Sequence, residues 1–458
     1  MIAILFLLVL VGLTVVLSLM GAGPGNALIW QSLLLVGLFC LFFGAGIYVA
    51  AALGVLGLIV GFAFSDRPFW AFLGQTVWTP SSSFVLVAVP LFLLMGEVLL
   101  RAGLSERLYR ALNVWLDRLP GGLLHTNIAA CGVFSAISGS SVATAATMGS
   151  VALPFFHGTR YDTKMVLGSL AAGGALGNLI PPGITFIIYA LITETSVSAL
   201  YLAAVGPSLL VVTLFILVIL FKARSAAPVD RTKPKIPLRE KLKTVVDLLP
   251  TAILIFVVLG TIYGGLATAT ESAALGVVGA MVFAAIEGKL TFRMLNASAE
   301  ATARTTAMIG AILFGAYVLN FIFVQLGVPQ QLAALVSAMP LPPWGVMLLI
   351  IGFYLALGTF MEGFSMVVTT IPVVFPVVLA LGYDPIWFGV IVTMLVEIAL
   401  ISPPDGTVLY VLQGMRKDAG PITDIFTGVM PFLLVYILAI LILMWFPQVA
   451  LWLPRAVN

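Results

Sequence analysis

Long apolar runs, broken at intervals by Gly, Pro and isolated charges, occupy almost the whole chain. About 20 apolar residues in helical form cross a hydrocarbon core of roughly 30 Å. Runs of that kind fall near residues 2–20, 28–46, 48–64, 81–100, 164–193, 198–221, 246–264, 268–286, 304–326, 386–414 and 424–446. The pattern predicts an all-α polytopic membrane protein with about eleven transmembrane helices. Two further apolar stretches, 121–157 and 341–381, are too long for one straight helix and are interrupted by SGSS and by GTFMEGFS. Each reads as a re-entrant helical hairpin that returns to the side it entered from. The opening run 2–20 lacks a positive start and a small-residue cleavage site before Gly21. It therefore reads as a retained helix rather than a secretory leader.

Composition narrows the picture. Of 458 residues, 62% are apolar and only 9% charged, which leaves no room for a separate soluble domain. Cys40 and Cys131 lie in apolar stretches and His125 and His157 form no cluster, so disulfide frameworks, Cys or His metal sites and most enzyme chemistry are excluded. The 21 basic residues report orientation rather than affinity for nucleic acid. Eight of them, Lys222, Arg224, Arg231, Lys233, Lys235, Arg239, Lys241 and Lys243, make one loop that reads as cytoplasmic. With about eleven crossings and two non-crossing hairpins, only Arg67 and Arg455 then fall outside. The N-terminus is expected in the cytoplasm and the C-terminus outside it.

A shift of 222 positions superimposes AALGVLG at 51–57 on AALGVVG at 273–279, Pro154 on Pro376, Tyr161 and Asp162 on Tyr383 and Asp384, and Pro181 and Pro182 on Pro403 and Pro404. The chain thus divides into an extra N-terminal helix (1–27), a first repeat (28–222) holding hairpin 121–157, a cytoplasmic linker (223–245), a second repeat (246–446) holding hairpin 341–381, and a tail (447–458). An odd number of crossings per repeat inserts the second copy upside down. Inverted repeats built around interrupted helices are a construction of secondary transporters, with substrate and ion held near the midplane.

The interruptions carry the candidate chemistry. Pro181 and Pro182 remove two amide donors and prevent helix at Ile180, which frees carbonyl oxygens of the preceding turn. A dehydrated sodium ion needs several such oxygen ligands. The first hairpin offers Ser138, Ser140, Ser141, Thr144 and Thr147 to a break containing Asn178, Pro181, Gly183 and Thr185. The second offers Thr359, Glu362, Ser365 and Thr369 to Ser402, Pro403, Asp405 and Thr407. Each hairpin meeting its own broken helix is expected to make one cation site. Half-helices starting near Gly183 and Gly406 turn positive dipole ends inward and favour a carboxylate on the substrate. Ser, Thr and Gly also let membrane helices pack closely, which is the competing explanation for any one of them.

Intramembrane carboxylates are costly unless paired or hydrated. Glu362, Glu397 and Asp405 all belong to the second repeat, and their counterparts are Ser140, Ala175 and Gly183, so the two sites are chemically unequal and proton coupling stays open. Glu97 precedes Arg101 by one turn and is expected to pair with it. Glu271 and Glu194 are expected near the outer boundary, held by solvation. The segment 104–119 has helical apolar spacing with charges between and suits a helix along the inner interface, with Tyr109 and Trp115 at headgroup level. Its counterpart, 328–338, is uncharged.

These stretches, SGSSVATAATMGSVALP, AAGGALGNLIPPGITFIIYALIT, LGTFMEGFSMVVTTIPVVFPVVLALGYDPIWFGVIV and SPPDGTVLYV, resemble the large membrane subunit of tripartite ATP-independent periplasmic (TRAP) transporters over nearly all of 30–446. The resemblance implies an elevator-type carrier of the ion-transporter superfamily in the bacterial inner membrane, with a periplasmic C-terminus, driven by a sodium gradient. It implies a periplasmic substrate-binding protein and a separate small membrane subunit of four helices as partners. It implies organic-acid substrates such as C4-dicarboxylates or sialic acid, with Na⁺ as coupling ion and no other cofactor. Helix 2–20 looks additional to the usual start, Glu362 stands where the family often has Asp, and Asp405 stands where a small apolar residue is usual. The alternative is a stand-alone sodium- or proton-coupled dicarboxylate symporter without a binding protein. An intramembrane hydrolase lacks a paired His or second Asp, and a channel does not need two broken helices.

Overall fold

A computed structural model describes residues 37–38, 41–42, 47–64, 68, 70–226, 237–338, 340–416 and 420–457. The expected span 2–20, most of 28–46 and residues 227–236 of the basic linker lie outside the described residues. In the first part of the chain run helices α1 (Val49–Phe64), α2 (Trp70–Ser81), α3 (Ala88–Ala102, entered through a 3-10 turn at Phe84–Val87), α4 (Leu104–Leu116), α5 (Gly122–Ser138), α6 (Ser141–Ala152), α7 (Thr163–Gly174), α8 (Ile184–Thr193) and α9 (Val197–Ala226). The second part contains α10 (Leu238–Tyr263), α11 (Ala269–Ile286), α12 (Phe292–Gln325), α13 (Val328–Ala338), α14 (Pro343–Leu357), α15 (Gly363–Ala380), α16 (Pro385–Ile401), α17 (Thr407–Met415), α18 (Thr423–Trp445) and α19 (Gln448–Val457).

Seven of the described helices are long and apolar enough to cross a membrane. Six are expected crossings: Phe84–Ala102, Val197–Lys222, Lys241–Tyr263, Ala269–Ile286, Phe292–Gln325 and Thr423–Trp445. The seventh, Gly363–Ala380, is an arm of the second hairpin, which the sequence does not predict to reach span length. Segment 48–64 forms the shorter α1, of 16 residues. The expected crossings 164–193 and 386–414 each split into two short helices around their proline pairs. Three boundaries also differ: α9 runs on to Ala226, α10 begins at Leu238 inside the expected linker, and the expected tail forms α19, which packs on α9. Gly206 of α9 makes that contact possible, because a Cβ there would fall 2.0 Å from the Val449 carbonyl oxygen.

Local capping explains why the hairpins and broken helices start where they do. Gly139 closes α5 at a φ of 60°, a left-handed conformation that favours glycine. Ser140 then caps α6 by accepting from the Ala143 amide, and Glu362, at the same offset of 222, caps α15 by accepting from the Ser365 amide. Asp162 caps α7 through the Lys164 amide, and Asp384 caps α16 through the Ile386 and Trp387 amides. Pro181–Pro182 and Pro403–Pro404 are both cis.

The interior is built around α7 and α16. Every residue from Trp387 to Ile401 is buried, as expected of a helix apolar on all sides. Backbone approach through glycines brings α7 against α18: a Cβ on Gly168 would lie 2.1 Å from the Gly428 carbonyl oxygen. The Tyr189 hydroxyl on α8 donates to the Pro385 carbonyl at 2.7 Å, which ties the second piece of one broken helix to the start of the other.

Helix α4 lies against α10 and carries the clearest electrostatic anchor. Arg107 donates to Asp247 at 2.9 Å and pairs with Glu287 as well. The Asp247 hydrogen bond raises the guanidinium above its already high ordinary value, so this anchor keeps its charge at any physiological pH. Trp115 donates to Thr244 at 3.2 Å and carries Lys241 over its ring. Tyr109, expected beside Trp115 at headgroup level, is fully buried instead. Its hydroxyl donates to Asn127 Oδ1 at 2.7 Å, and this partner on α5 removes the need for interfacial water. Glu97 and Arg101 pair at 3.2 Å. Glu271, expected to rely on solvation, closes a capping box with Thr268 at the start of α11.

Candidate functional site

The tip of the first hairpin, between α5 and α6, presses into the break between α7 and α8. The Gly139 carbonyl accepts from the Ile184 amide at 3.2 Å, and a Cβ on Gly139 would stand 2.5 Å from the Pro182 carbonyl oxygen. Ser138, Ser141, Thr144, Thr147, Asn178, Pro181, Gly183 and Thr185 are all buried, and Ser140 is half-buried. Ser138 and Thr144 share a hydrogen bond of 2.7 Å. Unwinding at the break is compensated within the protein: Ser208 donates to the Leu179 carbonyl at 3.2 Å and Tyr436 to that of Ala175 at 3.4 Å. Within this junction the structure joins Ser141 to Asn178 and Ser138 to Thr144.

At its centre is a carboxylate from the other half of the chain. Glu397 on α16 is fully buried and accepts from Ser141 Oγ at 2.8 and 2.7 Å through its two oxygens. The Asn178 amide donates to Glu397 Oε1 at 2.9 Å, and Asn178 Nδ2 donates to Ser141 Oγ at 3.0 Å. Glu397 was expected as a costly intramembrane carboxylate, with no place among the ligands. Its partners are 256 and 219 positions away, so no local motif announces them.

The second site is more open. Gly358 packs on Ala399 and Gly363 on Val396, and Cβ atoms on these glycines would stand 2.7 and 2.5 Å from those side chains. Glu362 is half-buried and its Oε2 accepts from the Ser365 amide and hydroxyl, both at 3.1 Å, so the carboxylate works as a helix cap. Thr359 donates to the Ala356 carbonyl at 2.7 Å, and Ser402, Pro403 and Thr407 are half-buried. Asp405, expected to face the hairpin, is exposed. The turn closed by the Gly406 amide on the Ser402 carbonyl, at 2.9 Å, puts Asp405 at its outer corner.

Four of the expected ligand oxygens are buried without a hydrogen-bond partner: Asn178 Oδ1 and Thr185 Oγ1 in the first site, Thr369 Oγ1 and Thr407 Oγ1 in the second. An unsatisfied buried oxygen costs roughly 1–3 kcal/mol, a cost that a bound hard cation removes. Gly183 and Gly406 precede α8 and α17 with no side-chain cap, so the positive ends of both half-helices are not offset by a capping side chain, while the Ile184 and Leu409 amides bond to the Gly139 and Gly406 carbonyls.

Comparison with known proteins identifies the architecture. The family described as "Tripartite ATP-independent periplasmic transporter, DctM component" matches residues 2–449. The chain belongs to this family. The match begins at residue 2 and so takes in the opening apolar segment. This DctM component is 32% identical over 410 residues to the C4-dicarboxylate TRAP transporter large permease protein DctM of Pseudomonas aeruginosa, across 88% of this chain and 94% of that one. It is 30% identical to the sialic acid TRAP transporter large permease protein SiaM of Vibrio cholerae, across 94% and 98%. Its fold is similar to that of the Alcanivorax borkumensis YdaH transporter, with a TM-score of 0.60 and 18% identity over 89% of this chain and 98% of the other. As a TRAP large permease it is a multi-pass membrane transport protein and not an enzyme.

The packing of this DctM component adds what the repeat pattern does not contain. Besides meeting its own break at the tip, each hairpin lays its second arm on the half-helix of the opposite break: α6 on α17, where Gly149 admits Leu412, and α15 on α8, where Phe375 meets Tyr189 edge-on. The sequence signal for Glu397 was present, a carboxylate in an otherwise apolar helix, whereas Tyr436 and Ser208 carry none.

Proposed function

We propose that this chain is the large permease subunit of a TRAP system that takes up an organic acid, a C4-dicarboxylate, sialic acid or related carboxylate, against its gradient by coupling to sodium. The relatives' carboxylate substrates support the substrate class. The partners of this reading are a periplasmic substrate-binding protein, which delivers the acid, and a small four-helix membrane subunit. The two halves are inverted copies in the bacterial inner membrane, with the N-terminus cytoplasmic and the C-terminus periplasmic, and the hairpin units move as an elevator against the remaining helices.

One observation carries the ion coupling: each hairpin–break junction holds buried oxygens with no partner, Asn178 Oδ1 and Thr185 Oγ1 in one and Thr369 Oγ1 and Thr407 Oγ1 in the other. Neutral oxygens of this kind suit a hard monovalent cation. The helix N-termini at Gly183 and Gly406, which carry no side-chain cap, supply the matching positive potential for the substrate carboxylate.

Transport in proteoliposomes tests the reading. With small subunit and loaded binding protein present, an inward sodium gradient should drive saturable uptake, and replacing sodium by choline should abolish it. Uptake by the large subunit alone, with no binding protein, is the result that would remove the tripartite reading.

A further inference from the structure

Ser141 was expected as a cation ligand, yet its hydroxyl is fully used. It has one proton, directed at both oxygens of Glu397, and it accepts from the Asn178 amide at 3.1 Å and from Asn178 Nδ2 at 3.0 Å. A serine hydroxyl has one donor and two acceptor positions, and both acceptor positions here already face Asn178, one of them through an N–H shared with Glu397. Asn178 is held at the same time. Its backbone amide binds Glu397 and its Nδ2 binds Ser141, which turns Oδ1 to the side where it has no partner. Reversing the side-chain amide would place Oδ1 against the Ser141 oxygen and take the proton that Ser141 gives to Glu397. The carboxylate therefore selects which way the Asn178 oxygen faces.

All hydrogen bonds that Glu397 accepts come from neutral donors, Ser141 and the Asn178 amide. Its carboxyl group lies within one residue of a candidate cation ligand, Asn178 Oδ1. The arrangement occurs once: at the repeat offset Glu397 corresponds to Ala175 and Ser141 to Gly363, and there Gly363 packs on Val396 carbon against carbon.

We infer that Glu397 is a positioning residue of the first hairpin–break site: reaching across from the other half, it fixes Ser141 and Asn178 and thereby aims the Asn178 side-chain oxygen at the ion, without binding the ion itself. The inference rests on the sodium-coupled reading above. It makes Ser141 part of the support and leaves Asn178 and Thr185 as ligands.

Sodium titration of thermal unfolding, on purified full-length chain in detergent with choline as the balancing cation, tests it without reliance on transport. Glu397→Gln should raise the sodium concentration for half-maximal stabilisation about tenfold, the worth of one or two buried hydrogen bonds. Ser141→Ala should raise it in the same direction. The double variant should be no worse than Glu397→Gln alone, because both changes cut one linkage. The Hill slope should stay at its wild-type value in all three, whereas Asn178→Ala should lower it. Additive effects, an unchanged midpoint or a reduced slope in Glu397→Gln each overturn the inference. If Glu397→Gln cannot be purified, Ser141→Ala is read alone, and an unchanged midpoint there is equally fatal. Absence of sodium stabilisation in the wild-type chain is a different failure: it removes the sodium-coupled reading itself.

Discussion

Gly177 in the first break lies against Ser141 at the first hairpin tip so closely that a Cβ on Gly177 would sit 2.3 Å from the Ser141 Cα and amide nitrogen. The contact is backbone on backbone, and no side chain can swing aside to relieve it. It is what allows the Ser141 hydroxyl, the Asn178 amide and Glu397 to share one buried cluster.

Gly177→Ala should therefore push the tip off the break. Overpacking of this kind costs about 1–3 kcal/mol, and the unfolding midpoint in detergent should fall by a few degrees with loss of uptake. Gly352→Ala is the control, since nothing lies within 4 Å of its Cβ position and Ala favours helix. Equal stability of the two variants would show that the tip has room to shift.

Glu362 and Ser402 lie at the second hairpin and its break. Glu362→Gln and Ser402→Ala should raise the half-saturating sodium concentration for transport severalfold while leaving the KM for the substrate–binding-protein complex within about twofold. Loss of the Glu362 cap adds about 1 kcal/mol of destabilisation. A measured shift confined to the substrate KM would assign this junction to the acid rather than the ion.

Arg107 joins α4 to Asp247 on α10 and to Glu287 after α11. About a third of its side chain is exposed, so screening limits its worth to about 1 kcal/mol or less. Arg107→Ala should lower the unfolding midpoint at low salt, and the difference from wild type should shrink at high salt. Because the guanidinium is held above its already high ordinary range, the difference should not change between about pH 6 and pH 9, where Arg is fully charged. A pH-dependent difference would mean that another group carries the contact.

The proposed inverted arrangement predicts opposite membrane faces for the two connectors that follow the hairpins. Single cysteines in place of the exposed Arg160 and Ala380, in a chain with Cys40 and Cys131 changed to Ser, should react with an impermeant thiol reagent from opposite sides of right-side-out vesicles. Labelling from one common side would defeat the inverted repeat and, with it, the pairing of the two breaks.

Much of the architecture was legible because its signals are local. Span-length apolar runs report burial in lipid wherever they occur, and six crossings appear close to their expected positions. The Pro-Pro pairs, Asp162 with Asp384, and Ser140 with Glu362 mark helix ends through their own backbone chemistry, so the 222-residue recurrence survives into the element boundaries. The positions of Asn178 and Thr185 at a break followed from the same reasoning. What misled was assigning exposure from composition: Tyr109 looks interfacial and is buried, and Asp405 looks like a membrane carboxylate and is exposed.

By itself, then, the amino-acid order determined where helices run, where they break and which oxygens the breaks release, because each depends on residues within one or two turns. Only the folded chain decided that Glu397 takes Ser141 and the Asn178 amide, that each hairpin arm leans on the opposite break, and that the Ser141 hydroxyl is already engaged by Glu397 and Asn178. The Glu397 contacts join segments 256 and 219 positions apart, and the arm-on-break contact of Phe375 with Tyr189 joins the two halves of the chain as well. In a buried interior, a polar group bonds to whatever partner packing brings within reach, and spacing along the sequence does not encode that proximity.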